Sequence, residues 1–414
     1  MRSRPIELLA LALLSGCADE GAPDGPNLIL ISIDTLRADR LGCYGYERDT
    51  SPAIDALAER GVLFRTAIAE SSWTLPSHVT MLSGLYPSTH GVERPERRPG
   101  SGTRLLAERL RDAGWTTFAI TDGGWLSPAF GFARGFLDYR AELAGTEAHV
   151  NELIQRIEPL LGGERPFFAF LHTYDVHCPY DPPEPYASLF RSEERAEIET
   201  AGRCGNPHFN AMDLDAGEAR FLSDRYDGSI RRVDDALRGL FDLLEERGAL
   251  EDTVVVLTSD HGEEFLEHGR IGHERTLERE VLFVPLIVVA PGLGPRVETH
   301  PVGLVDIVPT VLELLGLPAA ADVEGQSLVR LARGEAADGE YLPYRYSELD
   351  WKASLVSWSN GETHVVRERG EGGAGHELFE RMAPLLLARR TEPRSHLRAE
   401  LPAEAAGQLS ALGY

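Results

Sequence analysis

Two short apolar runs constrain this chain more than any other feature. They are Asn27-Leu28-Ile29-Leu30-Ile31-Ser32-Ile33-Asp34 and Thr253-Val254-Val255-Val256-Leu257-Thr258-Ser259-Asp260. Each has the length of a strand, is rich in β-branched residues, shows no polar alternation and ends in a carboxylate. Strands that are apolar on both faces belong to a parallel sheet covered by helices. Val284 to Val289 reads as a third such strand, with Thr116 to Thr121 and Pro166 to His172 as others. Helical patterns alternate with them, near 51–61, 104–113, 147–161, 218–247 and 306–315. The expected fold is α/β, a large mostly parallel sheet sandwiched by helices, over residues 27–335.

After about Arg333 the texture changes. Segments 342–348, 353–358 and 363–368 read as strands, with Asn360-Gly361 as a hairpin turn, and 383–390 and 402–412 read as helices. Residues 336–414 are therefore expected to form a small α+β subdomain. The stretch from Tyr174 to Asp215 is rich in Pro, Gly and charge, and so long a loop is usually functional or disordered.

In parallel sheets ligands bind beyond the carboxyl ends of the strands, which directs Asp34 and Asp260 to one crevice. His261 follows Asp260 directly, and Gly262 lets the backbone turn. Two carboxylates and an imidazole suit a divalent cation; the oxygens favour Ca or Mn, and the His admits Mn or Zn. Taken singly, either Asp also reads as a helix cap in the following loop.

A third feature is Ser71-Ser72-Trp73-Thr74-Leu75-Pro76-Ser77-His78-Val79-Thr80. A loop turns through Pro76 into an apolar segment that reads as a helix, with Thr74 just before its N-terminus. Free N–H groups and partial positive charge there suit an anion. Thr74 is thus placed as a nucleophile toward a phosphate or sulfate ester, and on this stretch alone it reads equally as a cap. A cation held by Asp34 and Asp260 would lower its hydroxyl pKa and polarise an ester oxygen.

The chain begins with basic residues, a short apolar core from Leu8 to Leu14, and Ser15-Gly16-Cys17. This predicts a signal peptide over 1–16, too short to span a membrane. Leu14-Ser15-Gly16-Cys17 resembles the bacterial lipobox, which implies lipidation at Cys17, a tether over 17–26, and a lipid-anchored protein of the cell envelope, periplasmic or outer-surface. An ordinary signal with an incidental Cys is the alternative. Cys43, Cys178 and Cys204 remain, and sequence leaves their pairing open between a Cys178–Cys204 disulfide and free thiols. The net charge of −25 excludes nucleic acid as a partner, because that binding rests on basic patches. The only lysine is Lys352.

Several motifs together resemble the sulfatase family of the alkaline phosphatase superfamily. They are Ile33-Asp34-Thr35-Leu36-Arg37-Ala38-Asp39, Thr50-Ser51-Pro52-Ala53-Ile54-Asp55, Pro76-Ser77-His78 through Gly84-Leu85-Tyr86-Pro87, and Asp175-Val176-His177-Cys178-Pro179-Tyr180. Ser259-Asp260-His261-Gly262-Glu263-Glu264, Gly272-His273, Val284-Pro285-Leu286 and the closing Leu412-Gly413-Tyr414 continue the series in order. The resemblance implies one divalent metal ion (Ca, Mn or Zn) held by Asp34, Thr74, Asp260 and His261. It places Thr74 at the nucleophile position and implies that His177 contacts the ester oxygens or protonates the leaving group. His78 would lie near the nucleophile and His273 near the transferred group, both as substrate-binding residues.

The departures matter as much. Family sulfatases use a Cys or Ser that is oxidised to an aldehyde, which Thr74 cannot form. The Arg that usually closes that motif is His78, a common lysine is His273 with no other lysine to replace it, and the second Asp of an Asp-Asp pair is Thr35. The expected activity is metal-dependent hydrolysis of sulfate or phosphate/phosphonate esters, through a covalent intermediate on Thr74. Two alternatives stand beside it: a phosphoethanolamine-type headgroup transferase, and a non-catalytic lipoprotein that binds anionic glycan. The expected partners are a small-molecule or glycan/lipid ester substrate and a membrane contacted through the lipid anchor only.

Overall fold

The computed structural model describes residues 23–192, 214–369 and 393–412. The predicted signal peptide, Cys17, most of the tether, Cys204 and the 383–390 helix lie outside the described residues. The centre is an eight-stranded sheet. Its strands are β1 (Asn27–Ile33), β2 (Val62–Phe64), β3 (Thr116–Thr121), β4 (Asp138–Ala141), β5 (Phe167–Thr173), β6 (Thr253–Thr258), β7 (Leu286–Val289) and β8 (Arg296–Glu298). The spatial order is β8-β2-β7-β6-β1-β5-β3-β4. All neighbours pair in parallel except β7, which runs antiparallel to both β2 and β6. The two carboxylate-ended strands lie side by side, with Ile31 level with Leu257 and Ser32 with Thr258.

The unbroken apolar run of β1 is explained by two cores. Leu28 and Leu30 pack with Leu75, Val79 and Leu82 of α2 (Thr74–Ser83) and with residues of the helix Ile307–Leu314. Ile29, Ile31 and Ile33 pack on the other face, with the helices α1 (Pro52–Ala58), Thr146–Ile157 and Ala216–Glu246. Each fully buried Leu or Ile contributes roughly 1.5–3 kcal/mol relative to an exposed one, which holds the strand ends in register.

The long helix Ala216–Glu246 starts with a capping box, in which Glu218 N donates to Asp215 Oδ1 at 2.8 Å and Asp215 N to Glu218 Oε2 at 2.9 Å. It also fastens the turn after β1. Tyr226 donates from its hydroxyl to Thr35 O at 2.7 Å and accepts from Arg37 N at 2.9 Å. Thr35 sits there in the left-handed region at φ +57, a costly conformation for a β-branched residue.

Two differences from the sequence reading have local causes. The predicted strand 284–289 is interrupted at Pro285, which lacks an N–H. Phe283–Val284 pairs with Ala67–Ile68, and only Leu286–Val289 joins the main sheet. The edge strand β4 was not anticipated, because Asp138, Tyr139 and Arg140 carry no buried-strand signature.

Arg345–Trp351, Ala353–Ser359 and His364–Glu368 form a three-stranded antiparallel sheet. Pairing of Trp351 with Ala353 leaves Lys352 alone in the first turn, at φ +41. In the second turn Asn360 Oδ1 accepts from Glu362 N at 3.1 Å and Thr363 N at 2.7 Å, and Gly361 takes φ +92. This sheet is sewn to the main body: Ser347 donates to Ala69 O at 2.7 Å, Glu348 N donates to Glu70 O at 2.8 Å, and Leu349 enters the main core. Cys178 is disulfide-bonded and Cys43 is a free thiol. Among the described residues no helix is long and apolar enough to cross a membrane.

Candidate active site

Asp34 follows β1 and Asp260 follows β6, and both are fully buried. Asp260 Oδ1 accepts the N–H groups of Thr35 at 3.3 Å and His261 at 3.0 Å, while Oδ2 faces His78 and His261, each at 3.3 Å. Asp34 Oδ2 accepts from Thr74 Oγ1 at 3.3 Å and from His172 Nε2 at 3.4 Å, and its Oδ1 is buried with no hydrogen-bond partner. Neither carboxylate caps a helix.

Thr74 is the first residue of α2, and Trp73, in extended conformation, takes the cap position that the sequence reading gave to Thr74. The hydroxyl is directed to Asp34 and to His261 Nε2, 3.4 Å away. The cap reading of Thr74 is thereby excluded. Four residues on, His78 returns to the same point, one helical turn above. Its Nδ1 faces two acceptors, Thr74 O at 3.0 Å and Asp260 Oδ2 at 3.3 Å, and therefore carries a proton; Ser32 donates to its Nε2 at 3.0 Å. Every polar atom of His78 is engaged with protein. Ser77 holds the loop from the other side, donating to Asp260 O at 2.5 Å.

Tautomers follow from the neighbours. His261 donates from Nδ1 to Gly262 O at 3.0 Å, which leaves the Nε2 lone pair facing the carboxylate and the Thr74 hydroxyl. His177 donates from Nδ1 to Cys178 O at 2.7 Å, and His273 from Nδ1 to Glu263 Oε1 at 2.8 Å. The His273 ring lies 4.4 Å from the His261 ring and 5.1 Å from the His177 ring, so the three imidazoles form one wall. Burial, together with the neighbouring His273, lowers His177 to about 4. Burial and the charge of Lys352 lower His273 to about 3. Both are neutral near pH 7.

Burial and the adjacent Asp260 hold Asp34 well above the usual carboxylate range. Burial works the same way on Asp260, but the imidazoles of His261 and His78 outweigh it and hold that carboxyl below the usual range. Ligand atoms of Asp34, Asp260 and His261 all lie within 4.8 Å of one another. An orphaned carboxylate oxygen, two mutually repelling carboxyls and a convergent imidazole lone pair fit a divalent cation.

The structure thus brings Asp34, Thr74, Asp260 and His261 together, with His177 and His273 beside them and His78 beneath. Sequence reasoning did not assign a role to His172. Its signal was available: it lies near the carboxyl end of β5, level with Ser32. Lys352 is carried in by the C-terminal hairpin and ion-pairs with Glu274, next to His273.

A protein-family model described as Sulfatase matches residues 26–317. The chain is 30% identical over 204 residues to the multifunctional alkaline phosphatase superfamily protein PehA of Trinickia caryophylli, covering 42% of this chain and 39% of that one. It is 25% identical over 402 residues to the N-acetylgalactosamine-6-sulfatase of Rattus norvegicus, covering 85% and 75% of the two chains. The phosphonate monoester hydrolase of Agrobacterium radiobacter shares the fold, with a TM-score of 0.71 at 21% identity over 88% of this chain and 95% of that one. Strand-end carboxylates, helix-borne hydroxyl and family match agree, and the chain belongs to the sulfatase family.

Proposed function

We propose that this protein is a metal-dependent hydrolase of sulfate, phosphate or phosphonate esters, with Thr74 as the nucleophile. The observation that carries the reading is the Thr74 hydroxyl, 3.3 Å from Asp34 Oδ2 and 3.4 Å from His261 Nε2 at the first residue of a helix. A divalent cation held by Asp34, Asp260, His261 and Thr74 would lower the hydroxyl pKa and polarise the ester oxygens. Thr74 Oγ1 then bonds to the sulfur or phosphorus as the bond to the leaving alcohol oxygen breaks, and the proton that Thr74 loses ends on that alcohol. Water afterwards attacks the same centre and releases Thr74.

His177 donates from Nδ1 to Cys178 O and His273 from Nδ1 to Glu263 Oε1. A His177 imidazole held neutral beside the nucleophile is suited to take a proton from the attacking water. We read His78 as a positioning residue: its Nδ1–H ties the Thr74 carbonyl to Asp260. His172 does the same for Asp34. The support for sulfate or phosphoryl chemistry is the family itself, and for a mechanism without the aldehyde it is Thr74.

The test is a panel of sulfate monoesters, phosphate mono- and diesters and phosphonate monoesters with Mn, Ca and Zn, followed by intact-mass analysis of trapped Thr74 ester. Cleavage that requires metal and vanishes in Thr74→Ala is expected. Transfer of the group to an added lipid or sugar hydroxyl, without hydrolysis, would instead support the transferase reading. Anion binding without turnover would support the non-catalytic one.

A further inference from the structure

The C-terminal hairpin meets the site at two points. Trp351 packs its ring 4.4 Å from that of Trp73, the residue before Thr74. Lys352 pairs with Glu274, the residue after His273, and its Nζ lies 4.3 Å from the Trp351 ring. Glu274 is fixed in turn, its N–H donating to Ser72 O at 3.0 Å with φ +73. Two left-handed turns, at Lys352 and Glu274, thus bring one ion pair to the residue next to His273, on a hairpin that also packs on Trp73. Glu274 Oε1 is buried with no hydrogen-bond partner, so the pair leaves that carboxylate only half satisfied.

We propose that Lys352 is a substrate-anchoring residue of this site, supplying the ammonium that binds the anionic oxygens of the ester, with Glu274 as its counter-ion in the resting state. This rests on the ester-cleaving reading above and deepens it. The carboxyls of Asp34, Asp260, Glu263 and Glu274 are all buried around the site, and each one that is ionised opposes an anionic substrate. The nearby Arg37 is engaged with Asp39, Glu267 and Glu263 O, and is not free to answer it. Lys352 is different. Its side chain is 29% exposed, its stem is flexible, and it can exchange Glu274 for a substrate oxygen by rotation about its own bonds while the hairpin stays paired. A substrate that takes the lysine leaves Glu274 unpaired, so Glu274 competes with the anion.

The test is calorimetric titration of inorganic sulfate and inorganic phosphate into the full chain loaded with Mn or Ca. Wild type, Lys352→Met, Lys352→Arg, Glu274→Gln and the Lys352→Met/Glu274→Gln double variant are compared, each checked for folding by thermal melting. Lys352→Met should weaken anion binding about tenfold or more, and Lys352→Arg should restore part of it. Glu274→Gln should tighten binding several-fold, and that gain should disappear in the Lys352→Met background. A folded Lys352→Met protein with wild-type anion affinity overturns the proposal, as does an equal Glu274→Gln gain in both backgrounds or a wild type that binds neither anion. Binding needs no turnover, so the ratio of wild-type to Lys352→Met affinity is read without any ester being cleaved. A failure of ester cleavage is therefore read separately.

Discussion

Thr74 Oγ1 lies 3.3 Å from Asp34 Oδ2, although forty residues separate them in the chain. The contact joins the first residue of a helix to the residue that follows the central strand, so two buried elements of the core place the hydroxyl. His78 and Ser77, from the same helix, then tie that turn to Asp260 on the neighbouring strand. One helix N-terminus thus touches both carboxylates of the candidate metal centre.

Replacing Thr74 by Ala should lower kcat by at least about 10³-fold, because a nucleophile acts as a unit with its activating groups. Thr74→Ser keeps the hydroxyl and should retain most of the rate. Steady-state kinetics with a matched thermal melt of each variant measures this, and near wild-type turnover in Thr74→Ala would remove Thr74 from the chemistry.

Metal should stabilise the fold as well as activate it. At a hundredfold excess over Kd a bound ion adds about 2.7 kcal/mol, so chelation should lower the melting temperature and re-addition should restore it. Asp34→Asn and Asp260→Asn should both lose the ion by elemental analysis. Asp34→Asn also relieves the repulsion that raises this carboxyl, so its metal-free form should melt no lower than metal-free wild type. Full metal content in both variants would refute the assignment.

Much of this centre is legible in sequence because it is local. Asp34 and Asp260 end apolar runs, and Thr74 stands two residues before the Pro76 of the helix's first turn. What sequence could not supply is tertiary. Lys352 reaches Glu274 only because a one-residue turn and a hairpin docked on Ala69 and Glu70 carry it there. The antiparallel direction of β7 is equally silent, since a buried strand has the same composition in either direction. The sequence reading placed His78 near the nucleophile but could not give its contacts; helical periodicity sets its ring against Thr74 O and Asp260.

Acid should destabilise the protein through His177 and His273. Their folded values, about 4 and about 3, lie below the ordinary 6.5, so the unfolded chain takes up protons first as pH falls. Their stabilising contribution is complete above pH 6.5 and is lost as pH drops toward the folded values. Denaturant titrations across that window should show stability rising with pH, less steeply in His177→Gln and His273→Gln. Slopes unchanged from wild type in both variants would contradict the neutral assignments.

The lipobox-like Leu14-Ser15-Gly16-Cys17 yields a separate expectation. In a bacterial host the full chain should fractionate with membranes, and Cys17→Ser should release it, because the described residues offer no spanning helix. Equal membrane association of both forms would show that Cys17 is not the anchor.

The hairpin that carries Lys352 depends on a buried ion pair at its base. Arg345 Nη2 lies 3.0 Å from Asp306 Oδ2, and its Nε donates to Pro301 O at 3.0 Å. Asp306 also accepts from Gly303 N at 3.0 Å and Gln326 N at 2.8 Å, and Glu70 accepts from Val305 N at 3.3 Å. Burial and the charge of Asp306 raise Glu70 well above its usual value, and Arg345 offsets part of that. Arg345→Met would leave two buried carboxyls without their cation, at a cost of about 3–5 kcal/mol. Adding Asp306→Asn should recover part of the loss, because the carboxylate that pairs with Arg345 is then neutral while the side chain keeps its shape. Chemical denaturation of the single and double variants measures both effects. If Arg345→Met were as stable as wild type, the pair would not hold the hairpin, and the placement of Lys352 would rest on Trp351, Ser347, Glu348 and Leu349.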